Sequence, residues 1–372
     1  MLNKLTRFFA SRWGIILVGA IIGILGPTLQ KLGNPANMGI CVACFERDIA
    51  GALGLHRAAV VQYLRPEIIG FVLGATLAAL IFKEFKARSG SAPIVRFVLG
   101  FFAMVGALVF LGCPWRAGFR LAGGDMNAFP ALIGLALGIA IGVFFLRKGY
   151  NLGRSHKTYP MVGWILPIIM VGLLLLRIFK PVFAEGGPIF FSESGPGSLY
   201  APLLVSLIIG LVIGFLAQRT RFCTMGAVRD VILMRDTHLL SGLAALIVFA
   251  FLTNLVFGQF KFGYAAQPVS HSNLLANFMG MVLAGLAYAL AGGCPGRQLF
   301  LSGEGDGDSA VFVLGMIAGA AFSHNFAIAA RPDSIVDGVL TVGGISPIGW
   351  WAVIQGLVIC LVFGFSMREK MA

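Results

Sequence analysis

Cysteine, proline and arginine recur together at two places in this chain. Gly112-Cys113-Pro114-Trp115-Arg116 follows the apolar run 97–111 and precedes Ala122-Gly123-Gly124-Asp125. Gly293-Cys294-Pro295-Gly296-Arg297 follows the apolar run 277–291 and precedes Ser302-Gly303-Glu304-Gly305-Asp306. Proline at the first position of a helix has a preset φ and no N–H to leave unsatisfied. Cys113 and Cys294 are therefore expected at the N-termini of short helices, where backbone N–H groups favour anions. A thiol adds a polarizable sulfur and a weak donor. Together these suit a soft anion with a terminal sulfur or selenium. Cysteine is also a small apolar core residue, but a duplicated Gly-Cys-Pro-x-Arg is poorly explained as filler. Gly112, Gly293, Arg116 and Arg297 belong to the same candidate site. Arginine near hydrocarbon is costly; these two are expected to pair with Asp125 and Asp306 or to draw an anion inward.

The elements that must hold these residues are membrane spans. The chain has 372 residues, 58% of them hydrophobic and only 12% charged, with mean hydropathy +0.91. Soluble domains carry roughly 25% charged residues. The formal charge of +13 does not indicate nucleic acid, because Lys and Arg gather in cytoplasmic loops of membrane proteins. Ten runs approach the ~20 residues a span needs: 14–30, 67–82, 96–112, 130–146, 161–176, 200–217, 239–258, 272–292, 310–330 and 348–365. Residues 1–12 are basic, and the run 13–25 lacks a clear cleavage site, so it reads as a retained first span. With the N-terminus inside, alternate loops hold Lys4, Arg7 and Arg12, then Lys83, Lys86, Arg88 and Arg96, Arg147, Lys148, Arg154 and Lys157, Arg219, Arg221, Arg229 and Arg235, and Arg368 and Lys370. The other loops carry scattered charge with acidic neighbours such as Glu185 and Glu193. Both termini are expected on the cytoplasmic side.

The chain also repeats itself. Cys41 and Arg47-Asp48 match Cys223 and Arg229-Asp230 at an offset of 182. Cys113, Pro114, Arg116, Gly124 and Asp125 match Cys294, Pro295, Arg297, Gly305 and Asp306 at an offset of 181. Five spans separate equivalent points, so the second unit enters the membrane upside down. Each unit has two stretches too short to span, 41–54 and 114–121, then 223–234 and 295–301, which read as half-helices; irregular backbone at depth must be buried or line a cavity. The expected fold is an all-α integral membrane protein of about ten spans: a cytoplasmic N-terminus (1–13), repeat 1 (14–147), a linker with span five (148–199), repeat 2 (200–330), and a loop, last span and C-terminus (331–372). Inverted repeats of four spans with broken helices are a transporter architecture, with the site near the midplane.

The remaining signals are weaker. Cys41-x-x-Cys44 has redox or metal-ligand spacing, but zinc would need two more ligands. His56, His156, His238, His271 and His324 are scattered, and the position matching Cys44 is Gly226. Neither a metal nor a cofactor is expected. A redox or sulfur-transfer protein using Cys41 and Cys44 as a dithiol is the alternative reading. Cys360 reads as filler, and Arg47-Asp48 and Arg229-Asp230 as salt-bridged helix ends. Gly303-x-Gly305-x-Gly307 lacks the Lys-Ser/Thr of a phosphate loop. The apolar middles of the spans hold no acidic residue, which argues against a carboxylate proton relay.

The Ile40-Cys41 and Phe222-Cys223 motifs, the two Gly-Cys-Pro motifs and the doubled eight-helix body resemble the YeeE/YedE sulfur-transport family over roughly residues 14–330. The resemblance implies a bacterial inner-membrane importer of thiosulfate or related compounds, not an enzyme, in which thiols relay the anion through S–H···S hydrogen bonds. By motif, Cys41, Cys113 and Cys294 are the implied relay and Cys223 is the repeat mate. The linker span and Cys44 look most like the YedE branch, described as selenium transporters. A small TusA-like sulfur-carrier protein is the implied cytoplasmic partner.

Overall fold

The computed structural model describes residues 2–181, 189–336 and 339–368; Glu185 and Lys370 lie outside the described residues. Fifteen α-helices follow in order among them: α1 (Leu2–Phe9), α2 (Arg12–Lys31), α3 (Val42–Ala52), α4 (Pro66–Ile81), α5 (Pro93–Phe110), α6 (Pro114–Ala122), α7 (Ala128–Arg147), α8 (Pro160–Phe179), α9 (Leu203–Thr220), α10 (Thr224–Met234), α11 (His238–Val256), α12 (Leu274–Ala291), α13 (Pro295–Gly303), α14 (Gly307–Asn325) and α15 (Pro347–Ser366). Nine helical segments are long and apolar enough to cross a membrane, and α4 is a shorter apolar helix of 16 residues. Each of the ten runs read from the sequence finds its helix. The ninth stops early, at Asn325 instead of 330. Ala327 takes a left-handed φ of 53°, and the N–H groups of Ile328 and Ala329 turn back to the Ser323 carbonyl. Two short antiparallel ribbons, Arg88–Ser89 with His156–Lys157 and Ser334–Val336 with Val339–Thr341, tie loops outside the helical body.

The four short helices are the half-helices. α3 and α10 have 11 residues, α6 and α13 have 9. At 1.5 Å per residue they are about 14–17 Å long, half of the ~30 Å hydrocarbon core. A cysteine caps each one. Cys113 and Cys294 have extended backbone and are followed by proline at the first helical position. Cys41 and Cys223 lack that proline, and their own Sγ atoms accept the N–H of Cys44 (3.2 Å) and Gly226 (3.3 Å). This is the capping role usually filled by serine or aspartate.

The order span, half-helix, span, span, half-helix, span occurs twice, α2–α7 and α9–α14, with α8 between and α15 after. The two sets interlock. α2 packs on α11 and α4 on α9; α5 packs on α14 and α7 on α12. Each contact in one set is thus answered by its exchanged counterpart. The equivalent helices α5 and α12 also pack on each other, and they run antiparallel. A Cβ at Gly106 would meet Ala284 N, while one at Gly280 would meet the Val109 side chain. The repeats are therefore inverted.

Water-driven burial does not hold helices together in lipid; close van der Waals packing through small residues does. Along α7, Gly134 and Gly138 lie against the carbonyls of Phe278 and Val282 on α12, and Gly142 against Ala289. The pair runs parallel with backbones nearly touching. Gly134→Val places methyl groups on the Phe278 carbonyl and is expected to destabilise the protein by about 1–3 kcal/mol or more. A lowered thermal midpoint in detergent reads this; an unchanged midpoint would mean the seam is loose.

Candidate functional site

The half-helix N-termini bring the cysteines together as two pairs. The Cys41 thiol neighbours that of Cys113, and the Cys223 thiol that of Cys294. Cys113 also meets the backbone N–H groups of Arg116, in its own helix, and of Ala43, in α3. Cys294 likewise meets Arg297 and Thr224. Each pair therefore sits on two helix N-termini, both directing N–H groups at sulfur. All four cysteines are buried free thiols. Trp115 packs against Gly296, the residue 181 positions on that is its own repeat mate. It also faces Phe222 edge-on at 5.4 Å and Phe71 at 5.8 Å. A residue touching its own mate lies on the pseudo-two-fold axis, so the indole marks the centre of the helical body.

The arginine pairings expected from the sequence are different in the fold. Asp125 pairs with Arg120 at 2.6 Å, both fully buried. Among the described residues Arg116 has no carboxylate partner. It folds over Gly112, donating to the carbonyls of Asn37 (3.1 Å), Val269 (2.8 Å) and Leu111, with Nη1 3.5 Å from Cys44 Sγ. Nearby residues made the Arg116–Asp125 pair plausible, but one further helical turn places Arg120 on the face toward the loop. Asp306 pairs with Arg88 at 2.7 Å, and Arg297 instead meets Glu304 at 3.4 Å. Gly293 leaves the space into which the Arg297 side chain packs. The Arg47–Asp48 and Arg229–Asp230 pairs do form, at 2.6 and 2.8 Å.

Two cavities approach the pairs from opposite faces. On the face carrying α1, a cavity of about 600 Å³ is lined by Arg219, Arg221, Arg229 and Arg297 and reaches Cys223. Burial acts against ionised Glu84 at its rim, yet Arg219 (2.7 Å) and Gln218 (2.9 Å) hold that carboxyl below the usual range. On the other face, a cavity of about 260 Å³ is lined by Arg47, Leu111 and His324. Gly292 and Leu111 are repeat mates, both with left-handed φ, 83° and 62°. That conformation is easy for glycine and costly for leucine. The glycine leaves the larger cavity clear, while Leu111 puts a side chain in the corresponding place. Cys223 is accordingly 7% exposed, whereas Cys41, Cys44 and Cys113 are at most 1%.

Among the buried polar groups that sequence reasoning missed are Glu46 and Tyr288. Glu46 in α3 is buried, and neither carboxyl oxygen has a hydrogen-bond partner among the described residues. The Tyr288 hydroxyl in α12 is also buried, with no hydrogen-bond partner among the described residues. The sequence reading concerned the apolar middles of the spans; Glu46 sits on a half-helix, outside them. Its signal was a lone acid within Val42-Ala43-Cys44-Phe45-Glu46, one turn beyond the Cys41 cap. Cys44, which the repeat does not match, points its thiol at the Leu111 carbonyl (3.7 Å).

Comparison with known proteins agrees with this architecture. Residues 219–371 match the family model described as sulphur transport. The thiosulfate transporter TsuA of Escherichia coli (strain K12) is 30% identical over 107 residues, covering 29% of this chain and 30% of that protein. The thiosulfate transporter TsuA of Spirochaeta thermophila is 30% identical over 99 residues, covering 27% of this chain and 29% of its own length. The aligned parts thus span less than a third of these relatives. Through residues 219–371 the chain is thus similar to the sulphur-transport family, and it places cysteine-capped half-helices twice in an all-α membrane body.

Proposed function

We propose that this protein is a transporter, not an enzyme, that imports a soft sulfur-containing anion such as thiosulfate or its selenium analogues across the bacterial inner membrane. The observation that carries the reading is the pairing of four buried thiols on four half-helix N-termini, between two cavities on opposite faces. The path runs from the smaller cavity past Cys41 and Cys113, then past Cys294 and Cys223, into the basic vestibule. At each station a thiol donates to the terminal sulfur while helix N-termini offset the charge. Arg116 and Arg297 flank the two stations, and Gly112 and Gly293 give their side chains room. The face with Lys4, Arg7, Arg12, Arg147 and Arg368 is cytoplasmic by the positive-inside rule, so both termini are inside and the larger cavity opens inward. The halves 14–147 and 200–330 act as the two transport repeats around this path. A TusA-like sulfur carrier is the cytoplasmic acceptor.

The test is uptake of radiolabelled thiosulfate into proteoliposomes of the purified protein. Selenium analogues should compete and sulfate should not, because sulfate lacks a soft terminal atom. Absence of uptake would overturn the reading. Cys44→Ser separates transport from dithiol chemistry. The transport reading expects uptake within about threefold of wild type, since a hydroxyl still donates to the Leu111 carbonyl and one neutral hydrogen bond is worth only about 1 kcal/mol. Complete loss would favour a Cys41/Cys44 dithiol.

A further inference from the structure

Four arginines, Arg219, Arg221, Arg229 and Arg297, line the larger cavity, and three of them are taken up by carboxylates. Arg219 pairs with Glu84 at 2.7 Å, Arg229 with Asp230 at 2.8 Å and Arg297 with Glu304 at 3.4 Å. Arg221 is exposed, and its guanidinium has neither an ion pair nor a hydrogen bond among the described residues. It keeps five N–H donors in a fork that matches an oxyanion bidentately.

The backbone sets Arg221 apart independently of its charge. It caps α9 with φ 55° and ψ 35°, the left-handed conformation, which is easy for glycine and crowds the Cβ of other residues. Its repeat mate at an offset of 182 is Gly39, with φ 48°. Both repeats thus make the same turn two residues before a capping cysteine, and the first makes it with glycine. Closing the turn therefore does not call for an arginine side chain. Backbone strain of this kind clusters where a side chain binds a ligand. Cys223, two residues on, lies within about 8 Å of Arg221 between Cα atoms. It lines the same cavity and, at 7%, is the most exposed of the four paired cysteines.

We propose that Arg221 and Cys223 form the two poles of an exit subsite, where the guanidinium holds the oxygens of a sulfur-terminated oxyanion while the thiol holds its soft sulfur. This rests on the transport reading above. The three paired arginines keep the surroundings positive, and Arg221 supplies the free donors. Because the cavity is open to water, salt screens this grip, and the anion is released.

The experiment measures equilibrium binding of radiolabelled thiosulfate to the purified protein in detergent at low ionic strength, beside uptake in proteoliposomes. Arg221→Gln should weaken binding about tenfold, as for a lost hydrogen bond to a charged ligand. Arg221→Lys keeps the charge without the fork and should fall between. Arg221→Gly loses the donors but relieves the turn, so it should bind as weakly as Arg221→Gln while its ligand-free thermal midpoint stays level or rises. Unchanged binding in Arg221→Gln overturns the subsite. A lowered midpoint in Arg221→Gly also overturns it, by making the arginine a structural cap. Displacement of thiosulfate by phosphatidylglycerol at concentrations where inorganic phosphate has no effect would assign the guanidinium to a lipid headgroup, and overturn it too. Only one protein is present, so an acidic partner cannot produce the loss. All of these outcomes leave transport standing. Wild-type binding without any uptake overturns the transport reading and the exit role with it.

Discussion

Cys294→Ala abolishes most thiosulfate uptake while the protein still folds. Cys294 caps α13, lies beside Cys223, and meets the N–H groups of Arg297 and Thr224. Alanine keeps the small volume, and Pro295 still starts the helix, so the half-helix should persist. What disappears is the donor and the polarizable sulfur. A hydrogen bond to a charged group is worth about 1.5–3 kcal/mol, and each 1.4 kcal/mol is about tenfold. Uptake should therefore fall about 10- to 100-fold. Cys294→Ser, with a harder donor, should fall between. Cys360→Ala, in α15 and away from the pairs, should transport at the wild-type rate. Normal uptake by Cys294→Ala with an intact elution profile would sink the thiol path.

The second large effect is on stability, and the repeat supplies its own control. Asp48 accepts from Arg47 Nη2 at 2.6 Å and Arg65 Nε at 2.7 Å, in a buried triad. Arg65 also lies 4.5 Å over the Phe45 ring and donates to the carbonyls of Pro196 and Leu199. Asp48→Ala leaves two buried guanidinium groups without their shared counter-ion, a class of change that costs about 3–5 kcal/mol. The mate, Asp230, pairs among the described residues with Arg229 alone, whose side chain is 29% exposed at the vestibule. Asp230→Ala is expected to cost about 0–1 kcal/mol, as solvent-screened pairs do. Thermal midpoints of the two variants in one detergent compare them directly. Equal shifts would show that burial does not set the difference between the halves.

This asymmetry within a symmetric fold separates what could be read in the chain from what could not. Local chemistry was legible. Apolar runs of span length, proline after Cys113 and Cys294, and the two offsets of 182 and 181 determined the ten spans, the half-helices and their inversion. Those features act through the backbone of neighbouring residues, so sequence order carries them. Which arginine meets which aspartate was not legible. Arg120 takes Asp125, and Arg88 takes Asp306 from 218 positions away; nothing in the motif spacing records a partner brought in by another loop. The pairing of Cys41 with Cys113 and of Cys223 with Cys294 likewise depends on where α3 and α10 cross α6 and α13. Glu46 and Tyr288 depended on tertiary structure most of all. A residue's burial and the absence of a partner are properties of everything packed around it. The sequence by itself determined a repeated membrane body with cysteine-capped half-helices; the fold decided which thiols meet and which cavity reaches them.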